Sequence, residues 1–340
     1  MEERRRTGFD ARGLTVGGRP DRRLALRAGA VHYWRAPASS WPTLLAAVRA
    51  LGCTAVDTPV PWSVHERSAG AFDWSGDRDL PAFLAAAAAA GLAAIVRPGP
   101  WVDAQLTSGG LPERIVRDPD IAARAAHGGP AWLPHPPRAY PLPSLASARY
   151  HAEVAAWFAE VGRVIAPRLA PDGPVVALAV DHHGGVVYRG GAFDLDYHPD
   201  AVAWWRQDHD VEPPTRWADD DAERCAAWVR WKERYLARGL GVLTDALTAA
   251  GLGELARFHA APPHAPWHVD LPAIERAIGG PAAIDVSGGR ADLAAIRTRA
   301  LWTAGSSTGA APVSVGCGHP AYLPPRTDDD ERAAALTALA

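Results

Sequence analysis

The stretch from Val56 to Pro112, VDTPVPWSVHERSAGAFDWSGDRDLPAFLAAAAAAGLAAIVRPGPWVDAQLTSGGLP, holds two strand patterns, the helix pattern between them and the loop after each strand. Residues 53–58 form a short, buried-type run that stops at the breakers Pro59 and Pro61. Residues 77–80 give a charged helix start, and the apolar run that follows through Ala90 is closed by Gly91, the residue type that ends helices in a left-handed conformation. Residues 92–96 read as a second buried-type strand, ended by Arg97-Pro98-Gly99-Pro100. Two such strands joined by a helix make a parallel crossover.

The same cadence recurs outward from this unit. Strand patterns lie at 24–32, 175–180, 254–259, 282–286 and 312–315, and helical patterns at 43–51, 151–169, 222–250 and 291–304. Seven strands alternating with helices over most of the chain predict an α/β fold, a TIM (β/α)8-type barrel. A doubly wound sheet is the competitor, but no G-x-G-x-x-G follows the first strand, and strand ends rich in Trp, His and Pro suit a barrel mouth better. In a barrel these C-terminal strand ends converge on one face, where function is expected.

HYWRAP at 32–37, HER at 65–67, GAFDWSG at 70–76, RPGPW at 97–101 and GGLP at 109–112 together resemble the signature of glycoside hydrolase family 35, the β-galactosidase family. The five motifs follow the family's order and spacing, with HER in place of HEP, and a thinner resemblance continues to about the end of the chain. The resemblance implies a barrel that hydrolyses terminal β-galactosides with retention, using two glutamates and neither metal nor cofactor. In that chemistry one carboxyl protonates the departing oxygen while the other, about 5 to 5.5 Å away, attacks the anomeric carbon.

Measured against that pattern, both glutamates are missing. Where strand four of the family reads Q-V-E-N-E-Y-G, residues 179–185 read AVDHHGG, placing Asp181 at the first Glu, His182 at the sugar-contacting Asn and His183 at the acid/base. No glutamate lies between Glu160 and Glu212, so no small shift restores one. The nucleophile position falls on Ser314, or on Cys317 in a looser alignment, and no glutamate lies between Glu275 and Glu331. Positions that hold the sugar differ too: Pro59 replaces a Tyr, Ser63 an Asn, and Asp103-Ala104-Gln105-Leu106 replaces C-A-E-W. Each partner lost from a buried polar pocket costs about 1 to 3 kcal/mol.

Several aromatic and charged residues near strand ends complete the candidate site. Trp62, Trp101 and Trp267 follow strands and are placed to stack on a sugar face, with core packing as the alternative; Gln105 and His182 are the polar ligand candidates. His65, Glu66 and Arg97 are read as structural at the site, Glu66 and Arg97 pairing to hold the loops after strands two and three. His259, His264 and His268 lie in HAAPPHAPWH, which reads as a solvent-facing loop, and Trp204, Trp205, Trp228 and Trp231 fall at helical spacing as core anchors. His183, Cys317, His259 and an Asp are scattered without H-x-x-x-H or C-x-x-C spacing, so no metal is expected.

Three functional readings follow. The first is a non-hydrolysing, carbohydrate-binding relative of the family. The second is an enzyme in use, either a weak glycosidase with Asp181 as carboxyl or a nucleophilic arrangement of Asp181, His183 and Ser314 or Cys317. The third is an interaction protein or a truncated product. After strand seven comes a helical stretch at 328–339 and no eighth strand, so strands one and seven would present open edges to a partner chain.

Length and composition bound these readings. The 340 residues, 48% hydrophobic, read as one barrel domain, 1–340, with an N-terminal lead-in at 1–23 and a Pro-rich loop at 126–143 over the mouth. There is no apolar run of the ~18 residues that spans a membrane. A net charge of −3 without a basic face excludes nucleic acid as the expected partner. MEERRRTGFD lacks the apolar segment of a signal peptide, and three cysteines without paired spacing fit a cytoplasmic protein.

Overall fold

The computed structural model describes residues 7–10, 13–17, 19–135, 138–181, 191–261 and 270–284. The chain enters through an antiparallel sheet of β1 (Thr7–Asp10), β2 (Gly13–Val16) and β3 (Arg19–Leu24). Alternation then begins with β4 (Ala28–Ala30), α1 (Trp41–Ala50), β5 (Ala55–Pro59), α2 (Trp62–His65) and a small hairpin of β6 (Glu66–Ser68) and β7 (Ala71–Phe72). It continues with α3 (Leu80–Ala89), β8 (Ala93–Gly99), α4 (Glu113–Val116), a hairpin of β9 (Trp132–His135) and β10 (Arg138–Pro141), and α5 (Ala148–Ile165). The described part ends with β11 (Val175–Val180), α6 (Pro199–His209), α7 (Ala222–Leu247), β12 (Ala256–Ala261), α8 (Leu271–Ile278) and β13 (Ala282–Ile284).

Among the described residues β4, β5, β8, β11, β12 and β13 form one sheet, each strand parallel to the next in chain order. A strand order that never reverses is the progression of a barrel; a doubly wound sheet reverses at its switch point. The fold is therefore of the α/β-barrel class, as the strand and helix cadence predicts.

Local sequence explains the units. Asp79 Oδ1 accepts the Ala82 N–H at 2.8 Å and Pro81 occupies the first turn, so α3 starts on a cap and a proline that tolerates the position. Leu80, Phe83, Leu84 and Ala87 bury one face, while Ala82, Ala85, Ala88 and Ala89 stay outside. β11 is buried at all six positions, as a parallel strand covered on both faces must be.

The strand period of two separates two cores. Val56, Val96, Leu178 and Val180 face the helices, whereas Ile95, Ala177, Ala179 and Phe258 face a second cluster that includes Leu14, with Phe9 and Leu24 packed against it. The small interior alanines leave space that aromatic rings fill: Phe9 meets Phe258 edge-on at 6.0 Å. Thr7 fastens this plug, its N–H donating to Glu254 O at 2.9 Å and its Oγ1 donating to Val176 O at 2.8 Å and accepting from Ala256 N at 2.6 Å. The segment read as a lead-in thus closes the N-terminal end of the strands and leaves the C-terminal end as the mouth.

Other departures from the sequence reading have local causes. α8 has only eight residues, too few to show a period, although Asp270 Oδ1 caps it through Ala273 N at 2.9 Å. The Pro-rich stretch contains the β9–β10 hairpin, with Leu133 opposite Tyr140. The expected strand at 312–315, the helical stretches at 291–304 and 328–339, and hence the missing eighth strand and its open edge lie outside the described residues. No helix among the described residues is long and apolar enough to cross a membrane.

Candidate functional site

Because Ile95 faces the interior, Arg97, two residues further along β8, faces it too, at the mouth end. Asp57 lies opposite Ile95 on β5 and shares that face. Arg97 Nε donates to Asp57 Oδ1 at 2.8 Å, with the Arg97 side chain 8% exposed and that of Asp57 24%. His32, just after β4, stacks on Trp34 with ring centroids 5.1 Å apart. Burial, then the charges of Arg97 and Arg35, push the His32 imidazole from its ordinary 6.5 down to about 4, so the ring is neutral at pH 7.

The loop after β8 is bent into an uncommon shape. Asp103, Ala104 and Gln105 have φ of 55°, 51° and 53°, a left-handed run of non-glycine residues held by Arg35, which donates to Ala104 O at 2.6 Å and Gln105 Oε1 at 3.1 Å. Trp101 is 5% exposed and seats its ring on Gly109, where a Cβ would lie 2.1 Å from Trp101 Cε2. RPGPW and GGLP are therefore one packing unit. Tyr140 of β10 covers Trp101, ring centroids 6.0 Å apart.

Asp181, directly after β11, is 1% exposed with φ 47°. Its N–H donates to Gly99 O at 3.2 Å and its Oδ1 accepts from Trp101 N at 3.1 Å, tying the end of β11 to the loop after β8. Burial first, and the Asp181 charge second, raise the Tyr150 phenol well above its ordinary value. His259 is buried in β12, its Nδ1 donating to Val180 O at 2.8 Å, which corrects the reading of this residue as part of a solvent-facing loop: it bonds neighbouring strands.

Four other candidates, Trp62, Glu66, Arg97 and Gln105, are placed differently from expectation. Trp62 is 1% exposed and lies parallel to Trp157 at 5.7 Å with the Arg114 guanidinium at 5.5 Å, so it belongs to the helix-side core and presents no face to a sugar. Glu66 and Arg97 do not pair with each other. Glu66 takes a two-pronged bond from Arg114, at 2.7 and 2.9 Å, because Arg114 on α4 reaches it, while Arg97 points inward to Asp57. Gln105 is exposed and already bonded to Arg35.

His65 is buried between two partners that fix its tautomer. A carbonyl only accepts, so Nδ1 donates to Asp73 O at 2.9 Å, and Nε2 must accept from Tyr33 Oη at 2.5 Å. Burial pushes its pKa down to about 4, against the opposing effect of the Asp73 bond. His182, His183, Ser314, Cys317, His264, Trp267 and His268 lie outside the described residues. The sequence reading did not single out His32, Trp34 and Arg35 of HYWRAP, or Asp57 within β5. The signal for the first three was position, since they follow β4 at the mouth.

Comparison with known proteins agrees with this architecture. The family described as Glycosyl hydrolases family 35 matches residues 18–227. Beta-galactosidase-1-like protein 2 of Homo sapiens is 31% identical over 101 residues, covering 30% of this chain and 16% of that protein. An exo-beta-D-glucosaminidase of Thermococcus kodakarensis is 31% identical over 180 residues, 51% of this chain and 22% of that one, and the beta-galactosidase of Mus musculus is 29% identical over 185 residues, 53% and 24%. The chain thus spans 16 to 24% of the length of these relatives. Among solved structures, the cold-adapted beta-galactosidase from Rahnella sp. R3 superposes with a TM-score of 0.66 at 11% identity, over 92% of this chain and 48% of that one. The beta-galactosidase of Halorubrum lacusprofundi gives 0.59 at 16% identity, over 81% and 41%. At such identities the superpositions speak for the fold alone, but with the family match over 18–227 the chain belongs to glycoside hydrolase family 35.

Proposed function

We propose that this chain is a carbohydrate-binding member of the family that does not hydrolyse glycosides. The observation that carries the reading is the absence of glutamate from 161–211 and from 276–330, the stretches aligned with the family's acid/base and nucleophile. A retaining mechanism needs two carboxyls about 5 to 5.5 Å apart. Asp181, the carboxylate at the end of β11, is buried and bonded to the Trp101 N–H, a supporting role for the loop. The relatives' names, beta-galactosidase and exo-beta-D-glucosaminidase, set the sugars to try first.

The test is to incubate the protein with p-nitrophenyl β-galactoside and β-glucosaminide while measuring binding of the unmodified sugars by calorimetry. Binding without release of nitrophenol is the expected result. Turnover that disappears in Asp181→Asn overturns the reading.

A further inference from the structure

Arg97, at the mouth end of β8, keeps hydrogen-bonding capacity that the fold does not consume. Its Nε edge is taken by Asp57, while Nη1 and Nη2 have no hydrogen-bond partner among the described residues, although the side chain is more than nine-tenths buried. A guanidinium whose far edge carries two parallel N–H donors matches a carboxylate bidentately, the geometry for which arginine is preferred over lysine.

The surroundings favour an anion. Arg97 and Arg35 both act on His32 as positive charges, and Asp57 engages Arg97 through Nε. The His32 ring has no hydrogen-bond partner among the described residues and stacks on Trp34, so a neutral ring nitrogen and an aromatic face lie near the guanidinium. On the alignment above, His183 and Ser314 or Cys317 stand where the family has its two glutamates, which removes the negative charge of the nucleophile carboxylate that would repel a bound carboxylate.

We propose that the Nη1–Nη2 edge of Arg97, flanked by His32 and Trp34, binds the carboxylate of an acidic sugar, a uronic acid. The assignment rests on the carbohydrate-binding reading above and specifies its ligand class. The sugar ring lies against the His32–Trp34 pair, and the carboxylate reaches inward to the guanidinium. Asp57 holds Arg97 by Nε and keeps the far edge facing the mouth.

The experiment titrates the full chain with galacturonate, its neutral isostere galacturonamide, galactose, glucosamine and galactose 6-phosphate. Galacturonate is expected to bind at least about tenfold more tightly than galacturonamide, with affinity falling as salt rises. Arg97→Gln should abolish the preference and Arg97→Lys should keep part of it. The wild-type comparison stands whether or not either variant folds. Equal binding of galacturonate and galacturonamide overturns the proposal, as does preference for glucosamine, tighter binding of galactose 6-phosphate, or no binding of any probe. Binding of galactose or glucosamine without turnover would leave the carbohydrate-binding reading intact while this assignment fails. Turnover of the aryl glycosides would overturn only the non-hydrolysing reading, and the galacturonate to galacturonamide ratio would still decide this one.

Discussion

Gly109→Ala tests whether the loop after β8 is organised by the seat of Trp101. Gly109 has φ 60°, so a methyl group there carries a left-handed strain of about 1 to 2 kcal/mol. Its Cβ would also lie 2.1, 2.3 and 2.6 Å from Trp101 Cε2, Cδ2 and Cζ2, all atoms of a rigid ring that is itself buried. Displacing that ring is an overpacking change costing about 1 to 3 kcal/mol, so the total is roughly 2 to 5 kcal/mol. Gly70→Ala is the matched control, with φ 73° and nothing within 4 Å of its Cβ; it should show the strain alone, about 1 to 2 kcal/mol. Urea unfolding followed by tryptophan fluorescence measures both variants. Equal losses in the two would refute the claim that RPGPW and GGLP form one packing unit.

Three further changes follow from buried polar groups. His65 is neutral when folded, with a pKa near 4, and protonates near 6.5 when unfolded. The unfolded state therefore binds more protons between those values, and stability should fall from pH 6.5 toward 4 by roughly 3 kcal/mol from this residue. His65→Phe should flatten that slope, and an imidazole titrating near 6.5 in the folded protein would refute the burial argument. Lys232 is fully buried, and burial holds its pKa down at about 8 against the pull of Asp196. Since the unfolded lysine keeps its proton to about 10.4, stability should rise with pH between about 8 and 10.4, and Lys232→Met should abolish the rise in denaturant titrations. Thr7→Val removes the hydroxyl that bonds both Val176 O and Ala256 N in the plug; leaving those buried groups unsatisfied should cost about 1 to 3 kcal/mol in the same assay, and no loss would show the plug to be dispensable.

The parts legible in the sequence were those with a strong period or a strong breaker. β11 matches its predicted bounds because six buried residues lie between Pro174 and Asp181, and α3 ends near Gly91 because glycine adopts the φ of 70° needed there. The antiparallel sheet of β1 to β3 was not legible, since RPDRRL carries charges where alternation would be expected and its stability comes from contacts far along the chain, such as Thr7 with Val176. At the site, residue type was readable but partnership was not. Glu66 and Arg97 are oppositely charged and lie at neighbouring strand ends, yet the inward face of β8 gives Arg97 to Asp57 and the approach of α4 gives Arg114 to Glu66.

The presence of the family motifs in this chain has a physical explanation in what each motif does. HYWRAP contributes Tyr33, whose hydroxyl donates to His65 of the HER motif, and GAFDWSG contributes Asp73, whose carbonyl receives the other His65 nitrogen. Trp74 of the same stretch lies over the His65 ring at 4.0 Å. RPGPW and GGLP hold each other through Trp101 and Gly109. Every one of these contacts is internal to the scaffold, so none depends on a sugar being cleaved. Altering these buried contacts would cost stability, whereas residues whose work is on a substrate can change without that cost. In this chain the motif resemblance therefore reports the scaffold around the mouth. The binding proposed there rests on groups such as Arg97, whose Nη edge the described residues leave unbonded.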